Sequence, residues 1–153
     1  MTGARVRKIR EYVKGETFML TYGDGLSNVD INALIEFHRS KRSTVTVTGV
    51  RPPARFGELQ VDDYGTATGF NEKPQATAGL ISGGFFVCEP SVFEVLDNRD
   101  DLVFEQEPMQ QLVARQQLAV YQHDDFWQCM DTYRDWQLLN SLLEQDRAPW
   151  KIW

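Results

Sequence analysis

Two aspartates stand where a carboxylate could bind a metal ion. Asp24 lies between two glycines directly after the apolar run from Phe18 to Thr21, and Asp131 follows a partly aromatic run that ends at Met130. Open α/β sheets bind ligands beyond the carboxyl ends of their strands, and Mg²⁺ is usually held by one or two carboxylates together with substrate phosphates. Aspartate is also common in turns and at helix N-caps, so the spacing alone leaves both interpretations open.

A second group of residues has the types that bind a sugar phosphate. Pro74 disfavours a helical conformation at Lys73, so Glu72 and Lys73 are predicted to lie in an extended segment, where the lysine is a point charge for phosphate. Gly83 and Gly84 remove side chains from a predicted strand, which weakens it unless another backbone or a ligand must approach closely. The alternative for Glu72 and Lys73 is a solvated surface ion pair.

The elements that must position these residues alternate between strand and helix. Apolar spacing and turn residues predict helices at 5–13, 31–41, 90–96, 104–115 and 131–144, strands at 17–22, 44–48, 82–88 and 118–121, and a hairpin at 58–72. This order predicts a three-layer α/β fold with a mostly parallel sheet, in which the strand 17–22 is central and covered on both faces. In the last helix, Trp136, Leu139 and Leu143 are predicted to face inward.

Composition restricts the class of protein. The chain has 153 residues, of which 42% are hydrophobic, and this predicts one domain over residues 1–153. A net charge of −6 argues against nucleic acid as a partner, because backbone-phosphate binders need a basic surface. No apolar run approaches the roughly 20 residues that span a bilayer. Cys88 and Cys129 lack metal-binding spacing, which favours reduced cysteines and a cytoplasmic, membrane-free location.

The motifs resemble a known family in their order and spacing. They are Tyr22-Gly23-Asp24-Gly25-Leu26, Glu72-Lys73-Pro74, the strand from Ser82 to Val87, and the run from Phe126 to Thr132. Together they resemble the sugar-phosphate nucleotidyltransferases, and most closely the glucose-1-phosphate cytidylyltransferases. The resemblance runs from Met1 to Trp153 but begins well inside the family's sequence, so we expect an amino-terminally truncated, Rossmann-like nucleotidyltransferase fold.

The resemblance implies a reaction and a metal. In the family, glucose 1-phosphate attacks CTP, CDP-glucose forms and pyrophosphate leaves. The family residues that match Asp24 and Asp131 hold Mg²⁺, which makes these two the expected catalytic and metal-binding residues. The affinity for Mg²⁺ is expected to be poor without nucleotide, because this ion relies on substrate phosphates.

The resemblance also implies a sugar-phosphate site. The family residue matching Lys73 binds the phosphate of glucose 1-phosphate, and the one matching Glu72 contacts sugar hydroxyls. Ser82, Gly83 and Gly84 match the strand beside the sugar, although the family pattern has asparagine where this chain has Ser82. A serine hydroxyl is shorter than the amide and lacks its separate donor and acceptor, so recognition of the sugar hydroxyls is expected to differ.

The 153 residues contain no match to the family's glycine-rich phosphate loop. That loop cradles the nucleotide triphosphate with main-chain N–H groups, so a sugar phosphate is the expected ligand, CTP is not expected to bind firmly, and the chain alone is expected to be inactive. A non-catalytic binding or assembly module is the alternative. The family's amino-terminal strand is also missing from these 153 residues, so the strand 17–22 is expected to have an unpaired edge. Such an edge pairs readily with other chains, and we therefore expect a homo-oligomer.

Overall fold

The computed structural model describes residues 1–13, 15–52, 58–71 and 79–152 of the chain. Its helices are α1 (Thr2–Lys8), α2 (Ile31–Lys41), α3 (Glu107–Ala114) and α4 (Tyr133–Glu144), with one 3-10 helix at Pro90–Val95. Its strands are β1 (Phe18–Thr21), β2 (Gly25–Ser27), β3 (Val45–Val50), β4 (Glu58–Val61), β5 (Ala67–Asn71), β6 (Ile81–Cys88), β7 (Leu118–His123) and β8 (Trp127–Cys129). The predicted α/β class is confirmed.

The main sheet has four strands in the order β1-β6-β3-β7. β6 is antiparallel to both β1 and β3, and only β3 and β7 pair in parallel. The prediction of a mostly parallel sheet is therefore wrong, and the sheet is mixed. A strand that is parallel to its predecessor requires a crossover connection, usually a helix. Between β3 and β6, the described residues instead form the β4–β5 hairpin. The chain then returns as β6, antiparallel to β3.

Both faces of the sheet are covered at its centre. Every residue of β3 is buried, because Val45 and Val47 point into the main hydrophobic core and Thr46 points toward α2. The core also contains Phe86 of β6 and side chains from the segments that precede and form α3. On the other face, His38 of α2 lies 2.8 Å from the Thr46 hydroxyl, so this buried polar pair is satisfied.

β1 lies at an edge of the sheet rather than at its centre. In the described part of the chain it pairs only with β6, and Phe18 and Leu20 pack on the core while Met19 is 44% exposed. The prediction of a strand buried on both faces is therefore wrong, because α2 does not cover Met19. Among the described strands, β1 has no partner on its other side, as predicted for residues 17–22.

Two small antiparallel sheets complete the fold. The β4–β5 hairpin is confirmed at its predicted position, with its turn at 62–66. β2 and β8 form a second two-stranded sheet that we did not predict, because strands of three residues are too short for a periodic pattern. We call this pair the β2–β8 ribbon.

Two helix predictions need correction. α1 ends at Lys8, not at Val13, and its buried residues include Ala4 and Val6. In α4, Leu139 is buried as predicted, but Trp136 and Leu143 are about half exposed, because α4 contacts the rest of the described chain along a narrower stripe than its sequence suggests. No helix in the described ranges is long and apolar enough to cross a membrane.

Candidate functional site

The β2–β8 ribbon brings the segments of the two predicted metal-binding aspartates together. The Met130 amide donates a hydrogen bond of 2.7 Å to the Asp24 carbonyl, which extends the ladder that pairs Gly25 with Cys129. Asp24 and Asp131 therefore lie on adjacent segments at one end of the ribbon, and both side chains are exposed. The joint role predicted for these carboxylates depends on this adjacency.

The ribbon is attached to the glycine-containing part of β6. The Trp127 indole N–H donates to the Gly83 carbonyl at 2.8 Å. A side chain at Gly25 would place its Cβ 3.5 Å from the same carbonyl oxygen. Three segments that the sequence singled out, around Asp24, Gly83 and Asp131, thus meet in space.

The two glycines of β6 have structural reasons to be glycine. Gly84 has a φ of +79°, and a Cβ there would lie 3.0 Å from the Tyr22 ring. A Cβ at Gly83 would lie 2.8 Å from a Val50 methyl. The pairing of β3 with β6 shifts register at this point, which marks an irregularity of the bulge type. The close approach expected at these glycines is made here by protein atoms, and their role in sugar binding remains a prediction.

The remaining substrate-binding predictions fall on three residues. Ser82 is exposed, and its hydroxyl accepts a hydrogen bond of 3.4 Å from the Gly84 amide. Glu72 and Lys73 lie outside the described residues. Their predicted contacts with the sugar and its phosphate therefore stay predictions.

Asp131 lies between a thiol and a helix start. The Cys129 thiol donates to its carboxylate at 3.3 Å. Burial, and then the Asp131 carboxylate, raise the pKa of the Cys129 thiol to about 11. We considered Asp131 as a helix cap, but Thr132 is the N-cap of α4, and it forms a capping box with Asp135. The cap role is thus filled without Asp131.

A polar cluster at the other end of the ribbon was not predicted as part of the site. The His123 ring contacts Ser27, Asn28 and the Phe126 carbonyl, each at 3.1 Å. The Asn28 amide, followed by the Phe126 amide, lowers the pKa of the Asp125 carboxyl. Ser27 and His123 are 96 positions apart, so no local pattern could have indicated this cluster.

A second unpredicted contact involves the residue before the Gly-Asp-Gly turn. The Tyr22 hydroxyl donates to the Glu105 carboxylate, which also accepts from the Thr2 hydroxyl at 2.8 Å. The Tyr22 ring packs on Phe86, with the ring centroids 5.4 Å apart. The start of the turn is thereby fixed to the core and to the segment before α3.

Comparison with known families identifies the chain. The family model described as Nucleotidyl transferase matches residues 3–144. The chain belongs to the nucleotidyl transferase family. The similarity therefore includes all three segments that meet at the ribbon, and the resemblance noted in the sequence is confirmed.

Similar nucleotidyl transferases include two bacterial relatives of known name. The chain is 45% identical over 154 residues to a glucose-1-phosphate cytidylyltransferase from Salmonella typhi, and 41% identical over 153 residues to a probable glucose-1-phosphate cytidylyltransferase from Bacillus subtilis (strain 168). Each match includes 100% of this chain. The chain spans 59% of the length of each of these relatives.

Solved structures show the same nucleotidyl transferase fold. A putative glucose-1-phosphate thymidylyltransferase from Bacillus anthracis, solved with a sucrose, matches with a TM-score of 0.65 at 17% identity, over 90% of this chain and 58% of that chain. HddC from Yersinia pseudotuberculosis, solved with GMP-PN, matches with a TM-score of 0.61 at 18% identity, over 90% and 60%. These similarities support the fold.

The donor set of this nucleotidyl transferase suits a hard cation. Asp24 and Asp131 offer exposed carboxylate oxygens on adjacent segments, which are ligands that Mg²⁺ accepts. Within residues 1–13, 15–52, 58–71 and 79–152, no group of three or more His, Cys, Asp or Glu residues could hold a metal ion. Two carboxylates would leave most of the coordination shell to water and substrate phosphate.

Proposed function

We propose that the chain carries the metal-binding and sugar-phosphate-binding part of a glucose-1-phosphate cytidylyltransferase that acts in the cytoplasm. The observation that carries this proposal is the Met130–Asp24 hydrogen bond, which puts the two aspartate segments side by side. The 45% identity to a glucose-1-phosphate cytidylyltransferase supports the choice of substrates. The two free cysteines suit a reducing compartment.

Each predicted residue has a part in the proposed reaction. Asp24 and Asp131 hold Mg²⁺, which when bound neutralises charge on the phosphates of the substrates. Lys73 binds the phosphate of glucose 1-phosphate, and Glu72 orients the sugar through its hydroxyls. The metal and Lys73 thus neutralise phosphate charge, and Glu72 positions the sugar. Transfer at phosphorus depends mainly on such positioning and charge neutralisation.

The sugar-facing wall of this proposed site is Ser82, Gly83 and Gly84. The Ser82 hydroxyl is exposed and available at the surface of β6, while the Gly83 carbonyl is engaged by Trp127. Ser82 is therefore the member of this wall whose side chain is suited to contact a sugar hydroxyl.

The 153-residue polypeptide, purified alone, is proposed to make no CDP-glucose from CTP and glucose 1-phosphate. Its sequence has no glycine-rich loop, and preorganised main-chain donors of that kind stabilise the charge that develops during transfer. Loss of one such donor can cost about 2.7–4 kcal/mol of transition-state stabilisation. Turnover by this polypeptide that disappears in Asp24→Asn would show that another segment replaces the loop.

Metal binding gives the direct test. Mn²⁺ titration followed by electron paramagnetic resonance, with and without glucose 1-phosphate, is expected to show weak binding that the sugar phosphate strengthens. Asp24→Asn and Asp131→Asn should each weaken it strongly, because each variant removes one of the two carboxylates that would share the ion with substrate phosphate. Asp63→Asn, an exposed aspartate of the β4–β5 turn, is the matched control. Equal binding by all three variants would contradict the proposed site.

A second candidate function is an assembly module. It is favoured by the exposed edge of β1, whose outward residue Met19 is 44% exposed and carries no charge. Unprotected edge strands pair with other chains, so we propose that the polypeptide forms a homo-oligomer through residues 17–22, with the carboxyl-terminal tryptophans as secondary contacts. This second function does not require catalysis.

A further inference from the structure

His123 makes a side-chain link between the main sheet and the ribbon. It is the last residue of β7 and is 9% exposed. Its Nε2 atom lies 3.1 Å from Ser27 Oγ, Asn28 Oδ1 and the Phe126 carbonyl oxygen. Ser27 ends β2, Asn28 follows it and Phe126 precedes β8. One ring nitrogen thus contacts the last residue of β2 and the residue before β8.

The partners of this nitrogen determine which atom carries the proton. The Phe126 carbonyl can only accept. The Asn28 amide nitrogen donates to the Asp125 carboxylate at 2.8 Å, which turns its oxygen toward the His123 ring. The Ser27 hydroxyl donates to the Phe126 carbonyl at 2.8 Å, which leaves a lone pair for the ring. Nε2 is therefore the protonated nitrogen, and its N–H is shared among three acceptors.

This contact lies at the opposite end of the ribbon from the aspartates. The register pairs Ser27 with Trp127 at one end and Gly25 with Cys129 at the other, and the bond from the Met130 amide follows next. A two-stranded sheet of this length is not stable alone in water. Its orientation must therefore come from side-chain links such as those made by His123 and Trp127.

We propose that His123 is a positioning residue for the two aspartates: it holds one end of the ribbon on β7 so that the other end presents Asp24 and Asp131 in a fixed relation to β6. The assignment of a metal to these aspartates rests on the proposed function. The positioning role itself rests on the hydrogen bonds of the ring and on the ladder between the two ends.

Hydrogen exchange of the Met130 amide tests the positioning role directly. His123→Leu introduces an apolar side chain of similar bulk and removes the N–H that Ser27, Asn28 and Phe126 share, so about tenfold faster exchange at Met130 is expected. His123→Gln supplies an amide N–H at a comparable reach and should restore most of the protection. Amides in the β3–β6 pairing should keep their relative protection in both variants.

His38 offers a matched control. It is also a buried histidine, with Thr46 and Glu89 as its hydrogen-bond partners, but it belongs to α2 and faces the main sheet. His38→Leu is expected to lower protection throughout the main sheet without a selective effect on Met130. Three results for His123→Leu would overturn the proposal. They are an unchanged exchange rate at the Met130 amide, an equal increase in exchange at all amides, or the same exchange rate at Met130 as in His123→Gln.

Mn²⁺ affinity separates this proposal from the proposed function. If the wild-type chain binds Mn²⁺ in the presence of glucose 1-phosphate, His123→Leu should weaken that binding about tenfold and His123→Gln by much less. Unchanged affinity in His123→Leu would overturn the positioning role. If the wild-type chain binds no Mn²⁺ under any condition, the metal assignment fails, and the exchange rates at Met130 still decide whether His123 positions the ribbon.

Discussion

At the residue scale, Gly84 shows how a predicted ligand-approach residue can have a structural role. Its φ of +79° and the 3.0 Å approach of the Tyr22 ring both oppose a side chain. Gly84→Ala is expected to lower the free energy of unfolding by about 2–4 kcal/mol, which combines left-handed strain with a steric clash. Gly65→Ala is the control, because Gly65 has a φ of +83° with open space around it, and about 1–2 kcal/mol is expected there.

Urea denaturation of both variants measures the difference. If Gly84→Ala and Gly65→Ala lower the free energy of unfolding equally, the Tyr22 ring moves away without cost. Close packing against Tyr22 is then not the reason for the glycine at position 84. Because Tyr22 precedes the turn that carries Asp24, a larger loss at Gly84 would tie the stability of β6 to the geometry of the candidate site.

Cys129 reports on the charge of its neighbour Asp131. With its thiol pKa raised to about 11 by burial and by Asp131, Cys129 should remain protonated at neutral pH and react slowly with iodoacetamide, because the thiolate is the nucleophile. The labelling rate, read by peptide mass spectrometry, should rise through an inflection near pH 11. Asp131→Asn removes the carboxylate that disfavours the thiolate, so its inflection should shift downward. An inflection near the ordinary value of 9.0 in the wild type would contradict this picture.

The individual residues of the candidate site could be predicted from the sequence, but the contacts among them could not. Asp24 and Asp131 were predicted from their neighbours and from the family resemblance, and the backbone bond at Met130 brings their segments together. The role of His123 was not predicted, because its partners Ser27 and Asn28 come from a distant segment whose approach depends on the tertiary fold. The sequence likewise gave no sign that Trp127 donates to Gly83.

At the element scale, α4 starts beside the candidate site and depends on its N-cap. The Thr132 side chain accepts from the Asp135 amide, and the Asp135 carboxylate accepts from the Thr132 amide. Thr132→Ala should lower the free energy of unfolding by about 1 kcal/mol, while Thr132→Ser keeps the hydroxyl and should change it little. Thermal and urea unfolding followed by circular dichroism measure both. A loss as large for serine as for alanine would show that packing of the threonine methyl, not the cap, stabilises this helix start.

Elements with a strong local signal were predicted well. α2 begins after Asp30, whose side chain accepts from the Ala33 amide at 3.0 Å, and its bounds match the helix predicted at 31–41. The β4–β5 hairpin was predicted from its turn residues. β2 and β8 were missed because they are short and their pairing joins distant parts of the chain, so only tertiary structure specifies them.

At the scale of the whole molecule, the sheet direction was the main error. Alternating strands and helices predicted parallel pairing, but β6 inserts between β1 and β3 with the opposite direction. β1 and β3 still run in the same direction, with α2 between them in the chain. Local patterns specify the elements, whereas the position of a strand within a sheet depends on which partner buries its faces best.

The exposed edge of β1 leads to a prediction about association. If residues 17–22 form the proposed contact, the wild-type polypeptide should be larger than its 17.6 kDa monomer in light scattering at micromolar concentration. Met19→Lys should dissociate it, because a charge on an edge strand opposes pairing. Val120→Lys is the control on the other edge strand, β7, where Val120 is 46% exposed. Dissociation by Val120→Lys but not by Met19→Lys would place the contact on β7.

The hydrogen bond between Met130 and Asp24 also has a consequence for the order of folding. The two segments are separated by most of the chain, including β3, β6 and β7 of the main sheet, so closing this contact early would cost much loop entropy. The ribbon should therefore pair only after β3, β6 and β7 have assembled, as high contact order slows such steps. On a ribosome, residues around Asp24 would wait through the synthesis of these three strands before meeting their partner strand. The candidate site would then be among the last parts of a nascent chain to form.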